Sequence, residues 1–185
     1  MITPLPPVLI RRATATDAAP LAHLGRRTFS EAFAAENSVD DLAQFLDSAY
    51  GPGLQADELA DPALIYLVTE RASAMIAFAL LRTGRHNPSI TDPTAVELQR
   101  FYVDAAHHGS GVARLLMAAC VTQAQDLGAA TLFLGVWERN ARAIRFYEKE
   151  GFANVGAQTF RVGTDDQRDL VLARAITPSV PDSKN

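Results

Sequence analysis

Tyr102-Val103-Asp104-Ala105-Ala106-His107-His108-Gly109-Ser110-Gly111-Val112-Ala113-Arg114 carries the chain from a strand pattern into a helix pattern through small residues. Chemistry that holds a diphosphate wants this arrangement. Glycines let the backbone approach phosphate oxygens, and the free N–H groups of a helix's first turn point at the anion, aided by the helix dipole. Taken alone, the same residues also make a plain tight turn before a helix. A dinucleotide site is the sharper competitor, because Gly109-x-Gly111 partly matches a G-x-G-x-x-G turn. Arg114 stands where its third glycine belongs, although Glu138 falls near the end of the next strand. The turn also lies past the middle of the chain, which leaves too little sequence for a six-stranded parallel sheet.

Working outward, Val8 to Arg12 reads as a short strand, and Thr16 and Asp17 are N-cap candidates for a helix through Leu21, Leu24, Thr28 and Phe29. A second helix is expected from Ser38 to Tyr50 and a short one from Leu54 to Ala60. Leu64 to Thr69 and Met75 to Leu81 form an antiparallel hairpin. His86 to Pro93 is loop. In the strand Ala95 to Val103, strict alternation puts Val96, Leu98, Arg100 and Tyr102 opposite Glu97, Gln99, Phe101 and Val103. A helix runs from Val112 to Leu127, a strand from Thr131 to Trp137, and a helix from Asn140 to Glu150. Two strands, Ala157 to Val162 and Leu170 to Arg174, close the chain around a turn from Gly163 to Asp169. The order is mixed α/β, with antiparallel hairpins and one strand-helix-strand crossover.

Composition narrows the function classes. The chain has 185 residues, 48% apolar and 21% charged, which suits one globular domain, expected over residues 8–175. The proline-bearing ends, 1–7 and 177–185, read as frayed. A net charge of −4 gives no basic footprint for nucleic acid or an anionic membrane. Cys120 is the single cysteine, which excludes an internal disulfide framework and a cysteine zinc cluster. His107 and His108 are adjacent and point apart, and neither His23 nor His86 is placed by sequence to complete a site, so no metal is expected. Met1 to Ile10 shows no signal-peptide pattern, and runs such as Leu64 to Val68 are too short to cross a bilayer, so a cytoplasmic protein is expected.

Two segments resemble the GNAT superfamily of N-acetyltransferases. Glu97 to Arg114 resembles its acetyl-CoA motif, Arg/Gln-x-x-Gly-x-Gly/Ala, which falls here on His108, Gly111 and Ala113; His108 departs from the usual Arg or Gln. Leu134-Gly135-Val136-Trp137-Glu138-Arg139-Asn140 and the following Phe146-Tyr147-Glu148-Lys149-Glu150-Gly151-Phe152 resemble the family's strand-Asn-helix-Phe-Tyr block. Leu134 to Glu138 and Val162-Gly163-x-Asp165-x-Gln167-x-Asp169 are most similar to the PaiA-type polyamine acetyltransferases. The resemblance implies a six- or seven-stranded, mostly antiparallel twisted sheet flanked by helices, and direct acetyl transfer from acetyl-CoA to a small amine without a metal. A non-catalytic acetyl-CoA sensor or partner domain of the same fold is the alternative. Many members of the family are dimers, which leaves room for a homodimer.

By that resemblance, Tyr147 stands beside the CoA sulfur as general acid and Asn140 against the pantetheine arm. Asn140, Ala143, Ile144 and Tyr147 share one helix face by spacing. Glu97 holds the position of a general base. Phe101 and Val103 offer backbone groups to pantetheine, with core side chains. His108, Gly109, Ser110, Gly111, Val112, Ala113 and Arg114 cradle the diphosphate. Cys120 lies at i+4 from Leu116 and reads as core, and Trp137 and Phe152 read as packing. Acceptor contacts are expected near Phe29, Phe33 and Glu36, and one chain does not rank them.

Overall fold

The computed structural model describes residues 6–177. Of the ends expected to fray, only Pro6, Pro7 and Thr177 fall among them, outside regular structure, and the rest lies outside the described residues. The elements are β1 (Val8–Arg12), α1 (Ala18–Phe33), α2 (Val39–Ala49), α3 (Pro52–Ala60), β2 (Leu64–Arg71), β3 (Ala74–Arg82), β4 (Val96–Val103), α4 (Val112–Asp126), β5 (Thr131–Trp137), α5 (Ala141–Lys149), β6 (Ala153–Val162) and β7 (Asp165–Ala175). Seven strands form one sheet in the order β1-β2-β3-β4-β5-β7-β6. Every neighbouring pair is antiparallel except β4 with β5.

Helix ends follow from local chemistry. Ser38 caps α2 by accepting the Asp41 N–H at 3.1 Å, and Pro52 opens α3 where a missing N–H costs nothing. Arg26 on α1 donates to the carbonyls of Leu46 and Tyr50, both at 3.0 Å, and so ties α2's last turn to α1. One face of the sheet packs Val96, Leu98, Leu132, Leu134 and Val136 against Val112, Leu116 and Cys120 of α4 and Tyr147 of α5. The other packs Tyr66, Val68, Phe78 and Leu80 against Leu21, Leu24, Phe29, Leu46 and Tyr50 of α1, α2 and the segment after it. No helix among the described residues is long and apolar enough to cross a membrane.

Two expectations are corrected. Alternation along β4 is not strict, because Leu81 pairs with Leu98 while Leu80 pairs with Arg100, leaving Gln99 as a bulge. Beyond it the phase reverses. Phe101 and Val103 join Val96 and Leu98 on the α4 side, and Tyr102 turns to the α1 side. The closing hairpin is also longer than expected. β6 begins at Ala153, β7 at Asp165, and Val162 pairs with Asp165 across the tight turn Gly163-Thr164. Residues 165–169, expected in a turn, are therefore strand, and their side chains acquire faces.

Candidate active site

β4 and β5 stand side by side only at Val96 with Leu132 and Glu97 with Phe133. From Leu98 onward β4 pairs with β3 alone, while β5 from Leu134 pairs with β7 alone. The one parallel pair, β4 with β5, thus opens into a wedge at the centre of the sheet, bordered by unpaired backbone. His108 folds back to this border. Its Nε2 donates to the Val103 carbonyl at 3.0 Å, and its Nδ1 accepts from Arg142 Nη1 at 2.9 Å. Those two partners assign the tautomer. The histidine that departs from the motif thereby links the end of β4 to α5. His107 meets Arg71 instead, at 3.4 Å. Among the described residues, no three or more His, Cys, Asp or Glu side chains gather as they would for a metal ion.

At the wide end of the wedge, the Ala105–His107 helical turn leads into Gly109 and Gly111, both left-handed at φ +77° and +87°. A Cβ at either would meet nothing within 4 Å, so the space before α4 is open. The N–H groups of Gly109, Gly111, Val112, Ala113 and Arg114 donate to no described residue. Five bare donors at the positive end of a four-turn helix fit a diphosphate. Ser110 spends its hydroxyl on the His107 carbonyl at 2.6 Å, and the Arg114 side chain points to solvent, 3.7 Å from Glu150. Ser110 N–H also donates to the His107 carbonyl, at 3.3 Å, so Ser110 leaves no free donor in the turn, and Arg114 leaves only its N–H.

On the α4 side of the wedge sits Tyr147, buried among Phe101, Phe146 and Phe152 with ring centroids 6.3, 5.4 and 5.8 Å away. Its hydroxyl makes no hydrogen bond among the described residues. Burial pushes the phenol above its ordinary value, and the neighbouring Tyr102 and Cys120 push further, so the proton stays on. Asn140 is the N-cap of α5, its Oδ1 accepting the Ala143 N–H at 3.1 Å. Cys120 is fully buried in the core, and burial raises its thiol, which leaves no thiolate nucleophile.

Glu97, at the apex, faces the α1 side. Burial pushes its carboxyl above the ordinary range, while Arg85, 3.9 Å away, and the cross-strand Arg82 pull the other way. Phe29 is core, 3% exposed, rather than a substrate wall. Phe33 is half-buried with its ring 6.0 Å from Trp137. Sequence reasoning met Asp169 only as part of the closing PaiA-like segment and gave it no role. It is buried on β7 directly across from Trp137, and burial alone pushes its carboxyl up to about 6. A signal was available: Asp169 shares the phase of Val171 and Ala173, which only the true hairpin length reveals.

Residues 27–152 match the profile of the Acetyltransferase (GNAT) family. An uncharacterized N-acetyltransferase of Mycobacterium bovis is 34% identical over 161 residues, covering 87% of this chain and 99% of the relative. Another from Lactobacillus delbrueckii subsp. lactis is 26% identical over 153 residues, 83% of this chain and 88% of the relative. Among solved structures, the PaiA N-acetyltransferase of Thermoplasma acidophilum, in complex with coenzyme A, superposes with a TM-score of 0.75 at 17% identity, over 91% of this chain and 99% of that one. The ribosomal-protein-S18-alanine N-acetyltransferase of Escherichia coli superposes with a TM-score of 0.69 at 19% identity, over 97% and 100%. At these identities the superpositions speak for the fold.

Proposed function

This chain belongs to the Acetyltransferase (GNAT) family of acetyl-transferring enzymes, and from that premise we propose that it moves an acetyl group directly from acetyl-CoA to a small amine. The observation that carries the proposal is the wedge beyond Glu97, with bare N–H donors at one end and the unbonded Tyr147 hydroxyl on its flank. When bound, acetyl-CoA supplies the acyl thioester. Gly109 to Arg114 hold its diphosphate by main chain, and the free edge of β4 around Phe101 and Val103, with the amide nitrogen of Asn140, takes the pantetheine arm. His108, bridged to Arg142, shapes that edge.

Only a neutral amine attacks, so the arriving ammonium must lose a proton. Glu97 takes it at its carboxylate, directly or through water. The amine nitrogen then bonds to the acyl carbon, the carbon–sulfur bond breaks, Tyr147 gives its proton to the departing thiolate, and the proton shed by the acylated nitrogen passes through water to restore the Tyr147 phenol. No side chain is acylated. A polyamine is the acceptor class we put first, supported by the likeness of Leu134 to Glu138 and of Val162 to Asp169 to the PaiA-type sequences.

Acetyl-CoA offered with a panel of monoamines, diamines and polyamines tests this, read as free thiol and as acetylated amine by mass spectrometry. Amine-dependent release of both products is expected. Thiol release that no amine accelerates would overturn the small-amine acceptor.

A further inference from the structure

β5 runs through the middle of the sheet, yet Gly135 on it is exposed while Leu132, Phe133, Leu134 and Val136 are buried. A central strand reaches solvent only where its face is left uncovered, so a recess descends to the sheet at this point. A Cβ on Gly135 would lie 3.1 Å from Asp169 Oδ2 and 2.5 Å from Gln158 Nε2. Glycine therefore lets the Gln158 amide and the Asp169 carboxylate lie close against the strand, where a side chain would displace the amide. Gln158 is the cross-strand partner of Asp169, and Asn87 Nδ2 holds its Oε1 at 2.8 Å. That bond turns the amide nitrogen of Gln158 toward Gly135. Trp137, across from Asp169 on β5, and Phe33 supply aromatic surface.

Asp169 is the unexplained group. It is 6% exposed, and among the described residues its carboxylate accepts no hydrogen bond and pairs with no cation. A buried anion without a partner is unfavourable, and folds keep one where a partner arrives from outside. Burial lifts the carboxyl to about 6, so at neutral pH it is still mostly an anion. Tyr102 lies close enough to Asp169 for the carboxylate to raise its phenol.

We propose that Asp169 is the counter-ion for an ammonium group of the acceptor, which makes the recess over Gly135 selective for cationic amines. This deepens the acetyltransferase reading and rests on it. Asp169 binds the cation, Gln158 and the aromatic rings of Trp137 and Phe33 frame it, and Glu97 keeps the proton-accepting task. The aromatic rings suit the role, since ring faces attract cations, and Trp137 already has the Arg139 guanidinium 5.8 Å from its centre.

The test uses the full chain, the amine of the panel above that is turned over best, and the variants Asp169→Asn and Gly135→Ala. Asp169→Asn keeps the shape and removes the charge. Its KM for that amine should rise at least 30-fold with kcat changed less than fivefold, and calorimetric binding of the amine to the CoA complex should be lost in proportion. Acetyl-CoA affinity, measured separately, should stay within twofold. Gly135→Ala should raise the amine KM at least fivefold by displacing the Gln158 amide from beside Asp169. An amine KM within threefold of the unaltered chain in Asp169→Asn overturns the assignment and leaves the acetyltransferase reading standing. Loss of acetyl-CoA affinity in the same variant also overturns it, since Asp169 would then serve the fold. If the unaltered chain acetylates no amine of the panel, the small-amine reading fails and this inference falls with it.

Discussion

Glu97 and Phe133 are the last residues through which β4 and β5 touch as strands. Two residues later the Gln99 bulge bends β4 and reverses its faces. Arg100 pins the bend. Its Nη1 donates to Glu58 Oε2 at 2.8 Å, which the Tyr66 hydroxyl also reaches at 2.5 Å. The wedge is thus a built feature of β4, held by charge and hydrogen bonds from α3 and β2. Glu97 sits at its apex, and Phe101 is turned toward Tyr147 on its flank.

The cradle should fail with a side chain at Gly111. At φ +87° a β-branched residue costs about 1–2 kcal/mol of backbone strain, but no neighbour lies within 4 Å to clash. Gly111→Val is expected to fold and to bind acetyl-CoA more than tenfold more weakly by calorimetry. Unchanged affinity would move the diphosphate away from α4.

Removing the Tyr147 hydroxyl separates chemistry from packing. The hydroxyl bonds to no described residue, so Tyr147→Phe should leave the melting temperature and acetyl-CoA affinity nearly unchanged. Its kcat should fall about 10²-fold. A kcat within about threefold would make Tyr147 a packing residue and assign the thiolate's proton to water.

If Glu97 is the base, the acid limb of kcat/KM reports its carboxyl. Burial raises that group, so the limb should lie above the ordinary glutamate range, activity being lost as pH falls through it. Glu97→Gln should abolish the limb and lower the rate on a cationic amine. An unchanged pH profile would mean that the amine is deprotonated by solvent.

Stability should respond to acid through Asp17. Arg11 at 2.8 Å and the Thr14 N–H at 2.7 Å hold its carboxyl down at about 2, below the ordinary 3.8. A depressed carboxyl stabilises the fold above its unfolded value, and that stability is lost as pH falls from about 5 toward 2. Because Arg11 is a third exposed, Asp17→Asn should cost about 1–2 kcal/mol at pH 7 and little at pH 2. Urea titrations at both pH values check it; an equal loss at the two would assign the effect to packing.

Local patterns determined most of the elements from sequence alone. Ser38 caps α2, Asn140 caps α5, Gly109-Ser110-Gly111 opens α4, and Cys120 lies in the core where its spacing put it. These signals act over a few residues and survive without knowledge of neighbours. Resemblance in two segments added the family, and with it the proposed cradle at Gly109 to Arg114 and the proposed role of Tyr147. What only the tertiary structure decided depends on strand pairing. The Gln99 bulge exists because Leu80 and Leu81 skip a residue of β4, and no property of Gln99 itself announces that. The reach of the closing hairpin follows from the Val162–Asp165 pairing, which turns residues expected in a loop into strand. Asp169 then becomes a buried carboxylate over an exposed glycine two positions away on the next strand's register. Gly135 and Asp169, 34 residues apart, meet there through hydrogen bonds between backbones, which follow strand register and carry no trace in the local sequence.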